Sequence, residues 1–464
     1  MMTSARDNTT QNLPVEILES IFDEVSIASV FSSIALASRT LRSIANNRRF
    51  RSLVLNRGVG HDIHFTSKKI KTLANLIRDA ENFSKMRSIV DFTTSLSLSM
   101  IGYYDEVTPV INSGSLAFIF QHIFRATPSE CSLSLRIYRW ARTDDEYFDD
   151  ISEYPKYNGL SWRSINSDLR TSLRSLIQTS KLTRLTLHTM NHVPIDLLKS
   201  ANIKHLHLLR AKLDLGRRPT PITHPILLES LQMDPILSVE EIDSLTYPYR
   251  LGEDRSTLGG YLPLVKLTVA ISYRGALDLL NRLLQYTLAL RSLTVELRMT
   301  SGMLLNSFAR TLSPESISIG EMRRLIDNHC TINWSNLSHL ESVSLQARDS
   351  GIARDLTRTL PMCGIPSSLS TISFTIIYHP YSLPSVADVI TFLEQSRING
   401  LDGYLTLSAF NAVPSIHIAI RVEWAQPSSG SDIDILEKFV RGQIPLLLKQ
   451  KPASKVHIEY TTSF

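Results

Sequence analysis

The sequence predicts an α/β protein in two parts: a small helical unit at the N-terminus and a long body of alternating strands and helices. Two observations give this prediction. Residues 13–25 place apolar side chains on one face of a helix, and a short alternating apolar pattern returns along the rest of the chain. Apolar recurrence at three and four residues is typical of an amphipathic helix, whereas alternation is typical of a strand buried on one face.

The first predicted helix begins close to Pro14. Asn12 can cap its N-terminus, and Pro14 fits the first turn, where its missing N–H would have no helical partner. Acidic residues fill the faces that water would contact, and those near the start suit the positive end of the helix dipole. The apolar face consists of Ile17, Leu18, Ile21, Phe22 and Val25.

Residues 13–22 resemble the opening of an F-box, Leu-Pro-x-Glu-Ile-Leu-x-x-Ile-Phe, and match it residue for residue. In that family the opening leads into a three-helix unit that binds the Skp-type adaptor of a cullin-RING ubiquitin ligase. Residues 30–36 and 38–45 supply the second and third helices, with Leu41 where many members have Trp. The resemblance implies an adaptor-binding set of Leu13, Pro14, Ile17, Leu18, Ile21, Phe22, Leu36 and Leu41. An ordinary N-terminal core helix is the alternative interpretation.

The second pattern, apolar-x-x-apolar-x-apolar, predicts half-buried strands throughout the body. The clearest copies are Leu182/Leu185/Leu187, Ile203/Leu206/Leu208, Leu228/Leu231/Met233, Leu264/Leu267/Val269, Leu290/Leu293/Val295, Leu340/Val343/Leu345 and Leu369/Ile372/Phe374. Weaker copies are Leu53/Leu55, Leu133/Leu135, Leu405/Leu407, Ile416/Ile418/Ile420 and Val456/Ile458. Helix-like or loop sequence precedes each copy, as in residues 276–284.

Strands and helices that alternate at a recurring interval resemble a leucine-rich repeat. The predicted fold is therefore α/β, with a small N-terminal three-helix F-box unit followed by an irregular leucine-rich-repeat-like solenoid, or horseshoe. The intervals are ragged, and the Asn that normally follows each strand is missing. Two arrangements stay open: another α/β fold of alternating strands and helices, and two separate domains.

The predicted organisation has three parts. Residues 1–11 form a flexible N-terminus, residues 12–52 an F-box-like domain, and residues 53–464 an irregular leucine-rich-repeat-like substrate-recognition domain. Three polar or Pro-rich segments are predicted as surface insertions or joints rather than linkers: 143–150, 217–221 and 427–431. The last of these precedes a predicted helix.

Composition narrows the classes of function. The net charge of +5 comes from 49 basic and 44 acidic residues, a surplus too diffuse for a typical nucleic-acid-binding protein. The 3 cysteines are far apart, which fits neither a disulfide framework nor a zinc cluster. No segment approaches the roughly 20 apolar residues that span a bilayer, and no signal peptide is evident. We expect a cytoplasmic or nuclear protein that binds neither nucleic acid nor membrane.

No catalytic motif emerges from the sequence. His205 and His207 alternate with leucines on a predicted strand, so both imidazoles should face the same surface, but no third metal ligand accompanies them. His61 and His64 are predicted as loop residues. The acidic segment 143–150 is predicted as a solvated loop, because it lacks the spacing of a calcium-binding loop. We predict no metal, no cofactor and no enzymatic activity.

Two aromatic pairs, Tyr247/Tyr249 and Tyr378/Tyr381, follow predicted strands. They can either line a recognition rim or pack under loops.

The F-box resemblance implies a non-catalytic substrate receptor of a Skp-cullin-F-box ubiquitin ligase, similar in organisation to F-box proteins of fungi. One end would bind the Skp-type adaptor, and through it a cullin, while the other end would hold an unknown target protein. Proximity of the target to the ubiquitin-conjugating partner would be its whole contribution. The alternative is a non-catalytic repeat scaffold for protein–protein interaction with no ubiquitin role, in which the N-terminal helices act as a cap.

Overall fold

The structure is a computed structural model that describes most of the chain from residue 39 onward. The described residues are 39–55, 63–82, 89–125, 130–140, 157–179, 181–199, 201–214, 227–235, 237–246, 262–271, 275–297, 332–334, 337–348, 365–379, 384–423 and 430–461. The chain divides into two compact units, Met1–Leu185 and Thr186–Phe464.

Strands and helices alternate along the described chain. The strands are β1 (Ser52–Leu55), β2 (Ser95–Tyr103), β3 (Cys131–Trp140), β4 (Tyr157–Ser161), β5 (Leu182–His188), β6 (Met190–Asn191), β7 (Val193–Pro194), β8 (His205–Leu209), β9 (Leu213–Asp214), β10 (Ser230–Asp234), β11 (Lys266–Ile271), β12 (Ser292–Leu297), β13 (Ser342–Arg348), β14 (Thr371–Tyr378), β15 (Ser415–Glu423) and β16 (Lys455–Thr461). The α-helices are α1 (Arg39–Phe50), α2 (Ile63–Asn82), α3 (Tyr104–Ile111), α4 (Gly114–His122), α5 (Ser167–Ile177), α6 (Asp196–Lys199), α7 (Val239–Thr246), α8 (Gly275–Leu284), α9 (Val386–Gln395), α10 (Asn399–Leu405), α11 (Gly430–Gln443) and α12 (Pro445–Gln450).

Most strands belong to one mostly parallel sheet of 14 strands. Its main order is β1-β2-β3-β5-β8-β10-β11-β12-β13-β14-β15-β16, with β4 beside β3 and β6 beside β4, while β7 and β9 form a separate pair. In this sheet β4 runs antiparallel to β3. Parallel neighbours need crossover connections, which is why helices or long segments separate successive strands.

The first unit is built around β1, β2 and β3. Leu55, Leu98 and Leu135 align across these parallel strands and are all buried. Helix α2 buries one apolar stripe that includes Ile70 and Ile77, at the three- and four-residue spacing of a helix face. Helix α4 packs against both α2 and α5.

The second unit repeats the same arrangement over more strands. From β8 through β16 its strands of the main sheet are parallel and aligned without offset between apolar positions. One buried row consists of Leu206, Leu231, Leu267, Leu293, Val343, Ile372 and Ile416. Buried side chains of α8, α9 and α11, such as Leu280, Leu393 and Leu436, are also part of its core.

The alternating pattern predicted these strands correctly in most places. The copy at 182–187 lies wholly on β5, and in the other six of the clearest copies the last two apolar residues lie on a strand while the first lies two residues before it. The weaker copies on β1, β3, β15 and β16 also lie on strands. The copy at Leu405/Leu407 is wrong, because Leu405 ends helix α10 and Leu407 lies in the following turn. The predicted helix at 276–284 and the last predicted helix are confirmed as α8 and α11.

The prediction of a leucine-rich-repeat-like horseshoe after a three-helix F-box unit is wrong as a description of this fold. The structure instead has a large, mostly parallel central sheet with helices, an α/β fold. The alternation reports only that a strand is buried on one face, whereas a solenoid also needs connections of constant length. Here residues 272–291 join β11 to β12, but residues 298–341 join β12 to β13.

Element length varies as widely as the connections do. Strand β1 has 4 residues and β3 has 10, while α6 has 4 and α2 has 20. Such unequal units cannot stack as copies of one repeat. Of the predicted F-box helices, only the third corresponds to described residues, as part of α1, because residues 1–38 lie outside the described part of the chain.

Two buried ionic side chains hold the segment that leads into β16. Asp402 is 7% exposed and accepts hydrogen bonds from the backbone N–H groups of Leu446 and Leu447 at the start of α12. Lys451, also 7% exposed, donates from Nζ to two backbone carbonyl oxygens, one of them that of Phe410. Burial lowers the pKa of Lys451. These contacts satisfy charges that would otherwise destabilise the core.

Candidate binding face

The side of the second unit's sheet opposite its buried apolar rows is the candidate functional surface. On β10 and β12 the side chains alternate strictly between buried and half-buried positions. The half-buried positions are mostly polar. We call this surface the polar face and define it as the side chains on β8 and β10–β16 that alternate with the buried ones.

Parallel pairing in register lines up the polar face in rows that cross the strands. The row nearest the strand starts contains His205, Ser230, Lys266, Ser292, Ser342, Thr371 and Ser415. The central row contains His207, Gln232, Thr268, Thr294, Ser344, Ser373, His417 and Lys455. Short hydroxyl side chains dominate both rows from β12 to β14, and the central row has ionisable side chains at both of its ends.

The hydroxyl side chains give the middle of the polar face a particular chemistry. Each Ser or Thr can donate one hydrogen bond and accept others, and none carries a charge. Their small size lets the backbone or the side chains of a partner approach the sheet closely. A surface of this kind can bind a polypeptide without requiring one particular charge on it.

His417 lies at the charged end of the central row and contacts its neighbour on the same strand. The imidazole Nε2 is 2.7 Å from Ser415 Oγ. Burial, and secondarily the positive charge of Lys455, lower the pKa of His417 below its usual value. The imidazole is therefore neutral at pH 7 and can exchange hydrogen bonds in either direction.

The Ser415–His417 contact has two members of a hydrolytic triad but lacks its third. Catalysis of that type uses a carboxylate to orient the imidazole and to stabilise its charged form. No described carboxylate is hydrogen-bonded to His417, and nearby Lys455 disfavours the charged form. The geometry therefore fits hydrogen bonding to a partner better than base catalysis.

One ion pair and one histidine–carboxylate contact lie toward the carboxyl ends of β14–β16. Arg421 Nε donates to Glu459 Oε2 over 3.0 Å. His379 Nδ1 is 3.2 Å from Glu423 Oε2, and Glu423 is largely buried whereas His379 is exposed. Arg421 and Glu459 give this end of the polar face both signs of charge.

The predicted adaptor-binding residues lie almost entirely outside the described residues. Leu13, Pro14, Ile17, Leu18, Ile21, Phe22 and Leu36 precede residue 39, where the description begins. Leu41 lies on α1 and is half-buried, while Ile44 and Ala45 on the same helix are buried. The last turn of helix α1 contains Arg48 and Arg49, whose positive charges suit the negative end of its dipole.

The paired histidines were predicted correctly in their placement. His205 and His207 are half-buried on β8, and Leu206 and Leu208 between and beyond them are buried. His207 Nδ1 is 3.4 Å from Thr186 Oγ1 on the neighbouring strand. Within the described residues no group of three or more His, Cys, Asp or Glu side chains could hold a metal ion.

Other sequence candidates had mixed outcomes. His64 was predicted in a loop but is an exposed residue of helix α2. Tyr378 packs its ring against Phe392 with centroids 4.7 Å apart. This contact favours the interpretation that the tyrosine packs inside the protein over the one that it lines a recognition rim. Cys131 is buried, and burial raises the pKa of its thiol to about 11. His61, Tyr247, Tyr249, Tyr381 and the acidic segment 143–150 lie outside the described residues.

Sequence reasoning missed the charged end of the polar face. Its signal was present, because Ile416, Ile418 and Ile420 were predicted to form a strand. The residues between them had to share the opposite face. What the sequence could not supply was the register that puts Lys455 beside His417 from a strand almost forty positions later.

Comparisons with known proteins return no match to this chain, either among protein-family models or among curated proteins. None of the described helices has both the length and the apolar character needed to span a membrane.

Proposed function

We propose that this protein is the substrate receptor of a Skp-cullin-F-box ubiquitin ligase. The observation that carries the proposal is the sequence of residues 13–22, which matches the F-box opening at each defined position. In this proposal Leu13, Pro14, Ile17, Leu18, Ile21, Phe22, Leu36 and Leu41 bind a Skp-type adaptor, and the adaptor links the chain to a cullin. The protein would act in the cytoplasm or nucleus, where such ligases work.

The polar face is the proposed site for the target protein. Its aligned rows of hydroxyl and amide side chains form a broad surface that can hydrogen-bond to a polypeptide. The chain would make no catalytic contribution of its own. Holding the target next to the ubiquitin-conjugating partner raises the effective concentration of target lysines, which is sufficient for transfer.

A second candidate is a protein-binding scaffold with no role in ubiquitin transfer. The packing of α1 against β1 favours it, because a helical segment that packs on the sheet can serve to cover the first strand. The buried side chains Ile44 and Ala45 on α1 agree with such a role. In this case Leu18 and Phe22 would be core residues rather than a docking surface.

The test replaces Leu18 and Phe22 together with Glu. If these side chains dock on an adaptor, burial of two unpaired charges in the interface costs several kcal/mol. Each 1.4 kcal/mol is a factor of about ten in affinity. We expect pull-down of a Skp-type adaptor to be abolished while the thermal unfolding midpoint stays unchanged.

Helix α2 offers a matched control. Phe65 and Leu76 are 45% and 46% exposed there, so Phe65→Glu with Leu76→Glu introduces the same charges at the same residue types. This control should bind the adaptor normally. Adaptor binding that survives Leu18→Glu with Phe22→Glu contradicts the ligase proposal. Loss of binding together with a large fall in the unfolding midpoint identifies the two residues as core and supports the scaffold.

A further inference from the structure

The last strand of the main sheet, β16, has a neighbour on one side only among the described strands. It pairs with β15 and stands at the end of the strand order. Val456 and Ile458 point into the core and are 7% and 4% exposed, whereas Lys455 and His457 are exposed on the polar face. An open edge of this kind is a template for pairing with another strand.

The backbone geometry shows which residues present their hydrogen-bonding groups at this edge. In a parallel pair, a residue that turns its backbone toward the neighbour bonds to the two residues flanking its aligned partner. The Ser415 N–H donates to the backbone oxygen of Ser370 on the β14 side, and the Ile416 N–H donates to the side-chain Oγ of Ser454 on the β16 side, so the even-numbered positions of β15 turn toward β16. Ile418 aligns with Val456, and the flanking residues Lys455 and His457 therefore bond to β15.

By alternation, Val456, Ile458 and Tyr460 turn their N–H and C=O groups away from β15. The residues with outward backbone groups thus have their side chains on the apolar side. The residues with exposed, ionisable side chains have their backbone groups already paired with β15.

We propose that a second copy of this chain pairs with this edge, β16 to β16 and antiparallel, about a two-fold axis at His457. This register aligns Val456 with Ile458 of the second copy, at positions where both exchange backbone hydrogen bonds. It also aligns Lys455 with Glu459 of the second copy, and the symmetry makes each of these pairs twice. The inference is independent of any role in ubiquitin transfer.

The sequence of β16 is self-complementary in charge about His457, and this identifies the partner as a second copy. Lys455 and Glu459 lie two residues on either side of the axis, at non-hydrogen-bonded positions where facing side chains approach most closely. Moving the axis to Val456 would place Lys455 opposite His457 and leave Glu459 without a cation from the second copy. Only the axis at His457 gives both copies a Lys–Glu pair.

Arg421 strengthens this arrangement. It already donates to Glu459 Oε2, so the second copy's lysine would complete a row of cation, carboxylate and cation. Networks of this kind contribute more than isolated surface pairs do. Lys455 lies close enough to His417 to lower its pKa, and a carboxylate from the second copy would offset that unfavourable positive charge.

An exposed apolar residue on the neighbouring helix also fits a second copy. Helix α11 packs on β16, and its Ile435 is 49% exposed. A two-fold axis normal to the sheet puts α11 of both copies on the same face, side by side. We therefore expect Ile435 to lose exposure on pairing. The interface would be small, which predicts a dimer that dissociates on dilution.

The test is a charge exchange in the full chain, followed by sedimentation over a range of concentrations. Lys455→Glu and Glu459→Lys each place like charges opposite one another, and each should weaken dimerisation by about tenfold or more. The double variant Lys455→Glu/Glu459→Lys restores opposite charges and should recover much of the lost affinity. Lys266→Glu, an exposed lysine on the interior strand β11, is the matched control and should have no effect.

Hydrogen exchange supplies a second readout on the unmodified chain. The backbone amides of Val456, Ile458 and Tyr460 should exchange slowly at concentrations where the dimer forms and rapidly after dilution. A chain that is monomeric at all concentrations overturns the proposal. The β16 register is overturned if neither single substitution weakens the dimer affinity, or if the double variant binds no more tightly than the single variants do.

Discussion

The two faces of the second unit's sheet share one backbone but differ in what their side chains do. On β14, Phe374 is fully buried while its neighbour Ser373 is half-exposed. Across the strands the apolar face keeps apolar residues, mostly branched aliphatic ones, in register, whereas the polar face changes from hydroxyls in the middle to ionisable groups at β15 and β16. The comparison indicates that the apolar face determines stability, and that the polar face is where binding properties can vary.

The largest effect is expected on the apolar face. Phe374→Ala removes a large side chain from the core and should lower the free energy of unfolding by about 3–5 kcal/mol, from lost burial and the cavity left behind. Its matched control is Ser373→Ala, one position away on the opposite face, which should stay within about 0.5 kcal/mol. Urea unfolding of both variants measures the difference. Similar losses for the two would contradict the division of roles between the faces.

An intermediate effect is expected where a buried carboxylate holds a helix of the second unit. Asp402 accepts from the N–H groups of Leu446 and Leu447, as a capping residue would, although it belongs to another helix. Asp402→Ala leaves both groups unpaired and should cost about 1–2 kcal/mol of unfolding free energy. Asp402→Asn keeps one accepting oxygen and should cost less. Equal losses in the two variants would show that packing, not capping, is what the alanine disturbs.

The two predictions above concern features that differ in how well the sequence predicts them: the buried face of a strand and a contact between distant residues. Strand positions followed from alternation, because a period of two places every second residue on the same face. Strand β2, which buries Leu96, Leu98 and Met100, alternates as clearly but lies outside the predicted copies. Alternation of Leu405 and Leu407 over three residues was too short to distinguish a strand from the end of helix α10.

The candidate site was harder to predict than the strands. His205 and His207 could be placed on one face because they are two residues apart on one strand. The pairing of Asp402 with α12, and of Lys455 with His417, joins residues about forty positions apart and depends on register and crossover geometry. No local sequence pattern predicts either of these two contacts. The F-box opening at residues 13–22 lies before residue 39, where the description begins, so the resemblance stays a prediction that the adaptor experiment tests.

The smallest expected effect is electrostatic and lies on the polar face. Burial and Lys455 lower the pKa of His417, so the folded state favours the neutral imidazole. Above the ordinary histidine pKa of about 6.5 the lowered pKa does not change the free energy of unfolding, because the imidazole is neutral in both the folded and the unfolded chain. As the pH falls below that value, His417 becomes protonated in the unfolded chain but stays neutral in the folded chain. The free energy of unfolding therefore decreases until the pH passes the lowered pKa.

Lys455→Met should raise the pKa of His417 only part of the way to its ordinary value, because burial is the larger cause of the shift. His417→Gln should remove this part of the pH dependence and flatten the stability curve in the same window. An NMR titration of the His417 ring, at dilutions where the chain is monomeric, measures the pKa directly. Lys266→Met, on the interior strand β11, is the control and should leave that pKa unchanged. A pKa that stays the same or falls in Lys455→Met would show that the charge of Lys455 does not reach the imidazole, and that burial alone governs this end of the polar face.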